Sequence, residues 1–204
     1  MRKLSLLSAL VITAVGSTSA QLISLGALGG VRPTDGLSYG DESRPYIVGG
    51  SVEVHLPAQF AIEADALYQR IGDTSTFLSI NGPVANSFTT RERGNSWEFP
   101  LLAKYYFRPH TASWQPFIGT GYSFRTVSFH TDSSSFISGG LNTSSLNLQG
   151  DFRAGLSVGA SVVAGLRFHY RALAILPQAR YTRWGDSNDN INRNEVMLLL
   201  GLSF

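Results

Sequence analysis

The sequence contains no cysteine, which removes disulfide scaffolds, thiolate metal sites and cysteine nucleophiles together. Lysine is nearly absent, with only Lys3 and Lys104 in 204 residues. A solvated exterior is usually dense in Lys and Glu, so this scarcity argues against an ordinary water-facing surface. No apolar run reaches the roughly 20 residues that a membrane-spanning helix needs. The nearest candidate, Leu4 to Val15, is too short and follows Arg2 and Lys3.

A basic start, a short apolar stretch and then Gly16-Ser-Thr-Ser-Ala20, with Thr18 and Ala20 in the two small positions, predict a cleaved export signal over residues 1–20. The mature domain would then span 21–204. Gln21, and not a cysteine, would come first, so no lipid anchor is expected. Losing Arg2 and Lys3 takes the 16 basic residues to 14, equal to the 14 acidic ones. A basic surface for nucleic acid is therefore not expected.

What is present is alternation with a period of two, the mark of strands with two unlike faces. It is clearest over 155–168, where Leu156, Val158, Ala160, Val162, Ala164, Leu166 and Phe168 alternate mostly with Gly, Ser and, at the end, Arg167. Similar runs follow Tyr46 to His55, Phe60 to Gln69, Trp97 to Phe107, Phe117 to Arg125, Leu173 to Thr182 and Glu195 to Phe204. A weaker one covers Leu22 to Val31. Eight runs result. The connectors 32–44, 71–94, 129–152 and 184–194 are long and rich in Gly, Ser, Asn, Asp and Thr, whereas those near Pro57, 108–114 and 169–172 are short. Long loops at one end and tight turns at the other predict an all-β fold, an eight-stranded antiparallel up-and-down transmembrane β-barrel.

A water-soluble barrel with an apolar interior would show the same alternation. The polar face decides between them, because many of its positions are Gly, Ala or Ser, suited to the crowded inside of an eight-stranded barrel. The apolar face is therefore placed in lipid. Tyr46, Tyr68, Trp97 and Tyr181 fall near the long-loop ends, and Phe60, Phe107, Phe168 and Phe204 near the short-turn ends, as two interfacial belts require.

The run Val196, Leu198, Leu200, Leu202 and Phe204, together with PFIGTGYSFR (116–125) and LPQARYTRW (176–184), resembles the small eight-stranded outer membrane proteins, the OmpA/OmpX-type barrels of the porin-family outer membrane β-barrel domain. That resemblance implies residence in the bacterial outer membrane. It also implies that the alternating last strand with terminal Phe204 is the assembly signal read transiently by the barrel assembly machinery. The chain stops at the eighth run, so the soluble peptidoglycan-binding domain of longer members is not expected.

With this parity, Glu53, Glu63, Asp65, Glu98 and Glu195 point into the lumen with Lys104, Arg125, Arg167 and Arg180. Counting along the strands puts Glu53, Glu63, Asp65, Lys104 and Arg167 in the short-turn half and Glu98, Arg125 and Arg180 in the other. Pairing at similar heights is expected, since an unpaired buried charge is costly. Arg70 and Arg183 fall on the lipid-facing parity at the long-loop rim, where they could contact lipid phosphate or simply snorkel.

No catalytic, cofactor or metal site is expected. His55, His110 and His169 lie near the short-turn end, and only His130, within His130-Thr-Asp-Ser133, adjoins a long loop. A serine nucleophile needs a histidine in reach and a group orienting it, and the match in this Ser-rich stretch is weak. The leading reading is a monomeric, non-enzymatic barrel acting structurally, or on an unidentified extracellular ligand, through 71–94 and 129–152. A narrow passive pore and a lipid-modifying enzyme resting on His130 are the alternatives.

Overall fold

The computed structural model describes residues 23–33, 46–81, 84–109, 111–139, 142–153, 155–185 and 193–204. The predicted leader at 1–20, most of the connectors 32–44 and 184–194, and His110 lie outside the described residues. Among the described residues nine strands follow in order: β1 (Ile23–Val31), β2 (Tyr46–His55), β3 (Phe60–Asn81), β4 (Val84–Tyr106), β5 (Trp114–Gly139), β6 (Asn142–Arg153), β7 (Ser157–Tyr170), β8 (Leu173–Trp184) and β9 (Asn194–Ser203).

All pairings are antiparallel, and they close on themselves because β1 pairs β9 while β4 pairs β5. Eight strands form the barrel, since the lower half of β5 pairs β7 and only its upper half pairs β6. At the seam, the Phe204 amide donates to the Leu25 carbonyl at 3.0 Å and the Leu25 amide donates back at 3.1 Å. Closure leaves no unpaired edge in lipid, which an open sheet could not achieve.

Alternation decides which way each side chain points. Val48, Val52, Ile62, Phe99, Leu101, Ile118, Val162, Leu198, Leu200 and Leu202 are exposed on the outside. Their neighbours Ile47, Glu53, Glu63, Leu102, Lys104, Phe117, Val163 and Leu199 are buried inside. Two apolar clusters fill part of the interior, one of Leu28, Ile47, Leu67, Met197 and Leu199, the other of Ala61, Leu102, Tyr106, Phe117 and Val163. At the short-turn end the chain reverses through Pro57–Gln59, with Ala58 at φ 61° and Gln59 at φ 68°, and again at Arg171, φ 58°.

The segments 71–94 and 129–152 are not the loops that their composition suggests. β3 and β4 continue in unbroken register from Ile71↔Gly94 to Asn81↔Val84, and β5 and β6 from Ser128↔Arg153 to Gly139↔Asn142. With β4 also paired to β5 as far as Gly139, they form a four-stranded sheet standing beyond the barrel. The reason is chemical: much of their polarity is Thr and Ser interleaved with Phe, and β-branched and aromatic residues favour an extended, paired backbone.

Candidate functional site

Among the described residues the barrel lumen holds five buried carboxylates, Glu53, Glu63, Asp65, Glu98 and Glu195, and five buried cations, Arg32, Lys104, Arg125, Arg167 and Arg180. They segregate into two clusters. Around Glu53, the Arg167 guanidinium lies at 2.7 Å, the Lys104 ammonium at 3.2 Å, and the Tyr106 hydroxyl donates at 2.8 Å. His55 Nε2 lies 3.3 Å from the same carboxylate and 3.1 Å from Ser24 Oγ. Lys104 also contacts Glu63, and its ammonium stands 4.6 Å above the Phe117 ring. Arg180 joins this cluster by donating to Asp65 at 2.6 Å and to Glu63 at 3.5 Å.

The second cluster is built on Glu195, which meets Arg32 at 2.6 Å and Arg125 at 3.1 Å and accepts the Trp184 indole N–H at 2.9 Å. Arg32 also reaches Glu98 at 3.4 Å, and the Arg125 guanidinium lies 4.0 Å from the Trp184 ring centre. Between strands β5, β7 and β8, Ser123, Ser161 and Thr182 form a hydroxyl chain with steps of 2.6 and 2.8 Å.

Two residues depart from the expectation set by the sequence. Arg180, which residue counting puts in the long-loop half with Glu98 and Arg125, instead pairs with Asp65 and Glu63, because a long guanidinium stem on a tilted strand spans more height than counting allows. Arg32 belongs to a connector by composition, yet it continues the inward parity of Ser24 and Leu28 by one position past β1 and is buried. Extending the alternation past the last strand residue is the signal that finds it.

These contacts join strands that are not neighbours: β2 to β4 and β7, β3 to β8, and β9 to β5. Because a one-residue slip turns every side chain to the other face, such a slip would carry these charges into lipid, and a two-residue slip would part them from their partners. The network therefore specifies register. A small void beside Ser24, Glu53, Glu63 and Ser203 measures about 10 Å³, room for about one water molecule.

On the projecting sheet, His130 is held between Asp151, with Nδ1 at 2.6 Å, and Asp132, with Nε2 at 3.3 Å. Both carboxylates raise its pKa, the Asp151 hydrogen bond first. Ser133 does not join them, since alternation turns it to the opposite face, where its hydroxyl lies 3.5 Å from that of Thr90. Thr89, Arg91, Asp132, Ser134, Asn147 and Gln149 border a shallow concavity of about 410 Å³ on the histidine's face. Among the described residues no group of three or more His, Asp or Glu is placed to hold a metal ion.

Arg70 and Arg183 are exposed on the outside of β3 and β8, opposite Asn95 and Asn194 respectively. The final run places Val196, Leu198, Leu200, Leu202 and Phe204 on the outward parity and Glu195, Met197 and Leu199 inward.

A closed eight-stranded antiparallel barrel with an apolar outside and an inside lined by paired buried charges is a transmembrane β-barrel of the outer-membrane type. Among solved structures the chain is similar to the N-terminal β-barrel domain of Pseudomonas aeruginosa OprF, at 15% identity over 89% of this chain and 95% of that one, with a TM-score of 0.46. It is also similar to Neisserial surface protein A, at 13% identity over 89% and 94%, TM-score 0.46. A third is a major outer membrane protein from Thermus thermophilus, at 11% identity over 89% and 98%, TM-score 0.45. No protein-family model matches the sequence, and no curated protein matches it.

Proposed function

We propose that this chain is a monomeric, non-enzymatic barrel of the bacterial outer membrane that holds a four-stranded sheet above the lipid as a contact surface. The observation that carries this reading is strand length. About 9 to 11 residues suffice to cross a bilayer, yet β3 has 22 residues, β4 has 23 and β5 has 26. The stretch from Ile71 to Asn81 alone adds about 37 Å of strand. Solvent-exposed Phe77, Leu78, Phe88, Phe136, Leu146 and Leu148 on that extension give a partner apolar surface to bury.

The test is to replace 74–91 and 131–150 by short turns. The shortened protein should keep the heat-modifiable gel shift of a folded barrel while cells expressing it lose attachment to other cells or surfaces. Unchanged attachment by the shortened protein would overturn the proposal. The paired lumen charges weigh against a passive pore, and the turning of Ser133 away from His130 weighs against a serine-type enzyme.

A further inference from the structure

The outer girdle contains the same small construction twice, on separate parts of the wall. On β3, Tyr68 precedes Arg70 by two residues, and Arg70 stands opposite Asn95 of β4. On β8, Tyr181 precedes Arg183 by two residues, and Arg183 stands opposite Asn194 of β9. In each case the tyrosine hydroxyl donates to the asparagine Oδ1, at 2.7 Å in both. That bond engages the amide oxygen, and the amide NH₂ remains a donor on the outward face that also carries the arginine. Directly opposed residues have Cβ atoms about 5 Å apart, so each site offers donors from two side chains, with the amide oxygen already engaged by the tyrosine. Neither arginine has a carboxylate partner among the described residues.

A donor-rich cradle at the height of an aromatic belt matches a phosphate, which presents acceptors to a planar guanidinium fork. We propose that both Tyr-x-Arg/Asn sites bind the headgroup phosphate of a membrane lipid, and that the β8–β9 site binds its acyl chain as well. Below Arg183, about 14 Å along the strand, Ala179 borders a shallow, open lipid-facing depression of about 520 Å³, lined also by Gly29, Ala164, Leu166, Leu198 and Leu200. It exists because small residues sit on the outward parity there. A Cβ added to Gly29 would meet nothing within 4 Å, so the barrel itself does not require that glycine. A chain running down from a phosphate on Arg183 and Asn194 passes Tyr181 and enters this hollow.

The test is native mass spectrometry of the folded barrel in detergent with added phosphatidic acid, with diacylglycerol of the same chains, and with inorganic phosphate. Two phosphatidic acids should be retained, one more tightly, while diacylglycerol is not retained and inorganic phosphate competes weakly. Arg183→Gln should weaken the tighter site about tenfold, Arg70→Gln the looser one, and Tyr181→Phe should weaken the tighter site about threefold by releasing the asparagine. All three side chains lie outside the barrel, and the gel shift verifies folding. Equal retention by the Arg70→Gln/Arg183→Gln variant, or equal retention of diacylglycerol, would overturn the proposal. Full competition by inorganic phosphate would overturn its lipid part.

Discussion

Replacing Lys104 by Met should destabilise the barrel by about 3–5 kcal/mol, far more than the lost stem contacts of one lysine. Lys104 is 1% exposed, with its ammonium 3.2 Å from Glu53 and also in contact with Glu63. At an effective dielectric constant of about 20, one pair at that separation is worth about 5 kcal/mol before desolvation is set against it. The two carboxylates do not suffer equally. Glu53 keeps Arg167 at 2.7 Å and the Tyr106 hydroxyl, whereas among the described residues Glu63 keeps Arg180 alone at 3.5 Å, itself committed to Asp65 at 2.6 Å. Adding Glu63→Gln to Lys104→Met should therefore recover about 2 kcal/mol, because the stranded charge is gone. Urea unfolding in lipid vesicles, followed by tryptophan fluorescence and the gel shift, measures all four corners of the cycle. A single variant within about 1 kcal/mol of wild type, or a double variant no more stable than the single, would refute the pairing argument.

Gly121→Ala should prevent barrel closure or cost about 3 kcal/mol, since its Cβ would lie 1.9 Å from the Leu101 carbonyl oxygen, a backbone atom that cannot step aside. Gly29→Ala should stay within about 0.5 kcal/mol in the same unfolding assay. Protonated His130 pairs with Asp151 and Asp132 and stands opposite Arg93, and its folded pKa is raised above the ordinary histidine value. Its contribution to the β5–β6 extension is thus fully present below about pH 6.5 and lost as pH rises through the raised value. Amide exchange over 128–151 should accelerate across that window, and NMR titration should find the pKa elevated; a value at or below that of free histidine would refute it. Phe204→Ala should reduce assembly in cells several-fold while lowering the stability of barrels refolded in vitro by only about 1 kcal/mol, since the ring is half exposed to lipid. Equal losses in the two assays would remove the assembly role.

The barrel wall is legible in the sequence because lipid and lumen impose opposite demands on successive residues. A single parity assignment puts Glu53, Lys104, Arg125 and Arg167 inside and Val52, Ile118 and Leu198 outside. Membership of the lumen follows from parity, but partnership does not. Arg180 pairs with Asp65, and Arg32 with Glu195, because side-chain reach and strand tilt set height, and neither is written in spacing. The projecting sheet is hidden for a different reason. Gly, Ser, Asn and Thr count as loop formers by composition, whereas Thr76 and Thr89 face each other across β3 and β4 with hydroxyls 3.3 Å apart, an ordinary cross-strand pair.

The same parity also marks the point at which the strands leave the membrane. Up to Gln69 on β3 and Ser96 on β4, the inward positions are largely polar or charged and the outward ones apolar. Beyond Arg70 and Asn95 the outward parity accepts charge and polarity, carrying Arg91, Arg93, His130, Asp132, Gln149 and Asp151 with Leu78 and Phe136 among them. The inward parity there takes up Phe77, Phe88, Leu146 and Leu148. The register never breaks along this length, so the change does not come from a slip that turns one face into the other. It follows instead from a change of solvent outside the wall, from lipid, which rejects charge, to water, which accepts it. The change falls at the row of Arg70 and Asn95, directly above Tyr68 and Trp97. Aromatic belt, donor cradle and polarity switch thus fix one boundary by three separate chemistries. Above that row the outward positions are no longer held to the apolar side chains that lipid demands below it.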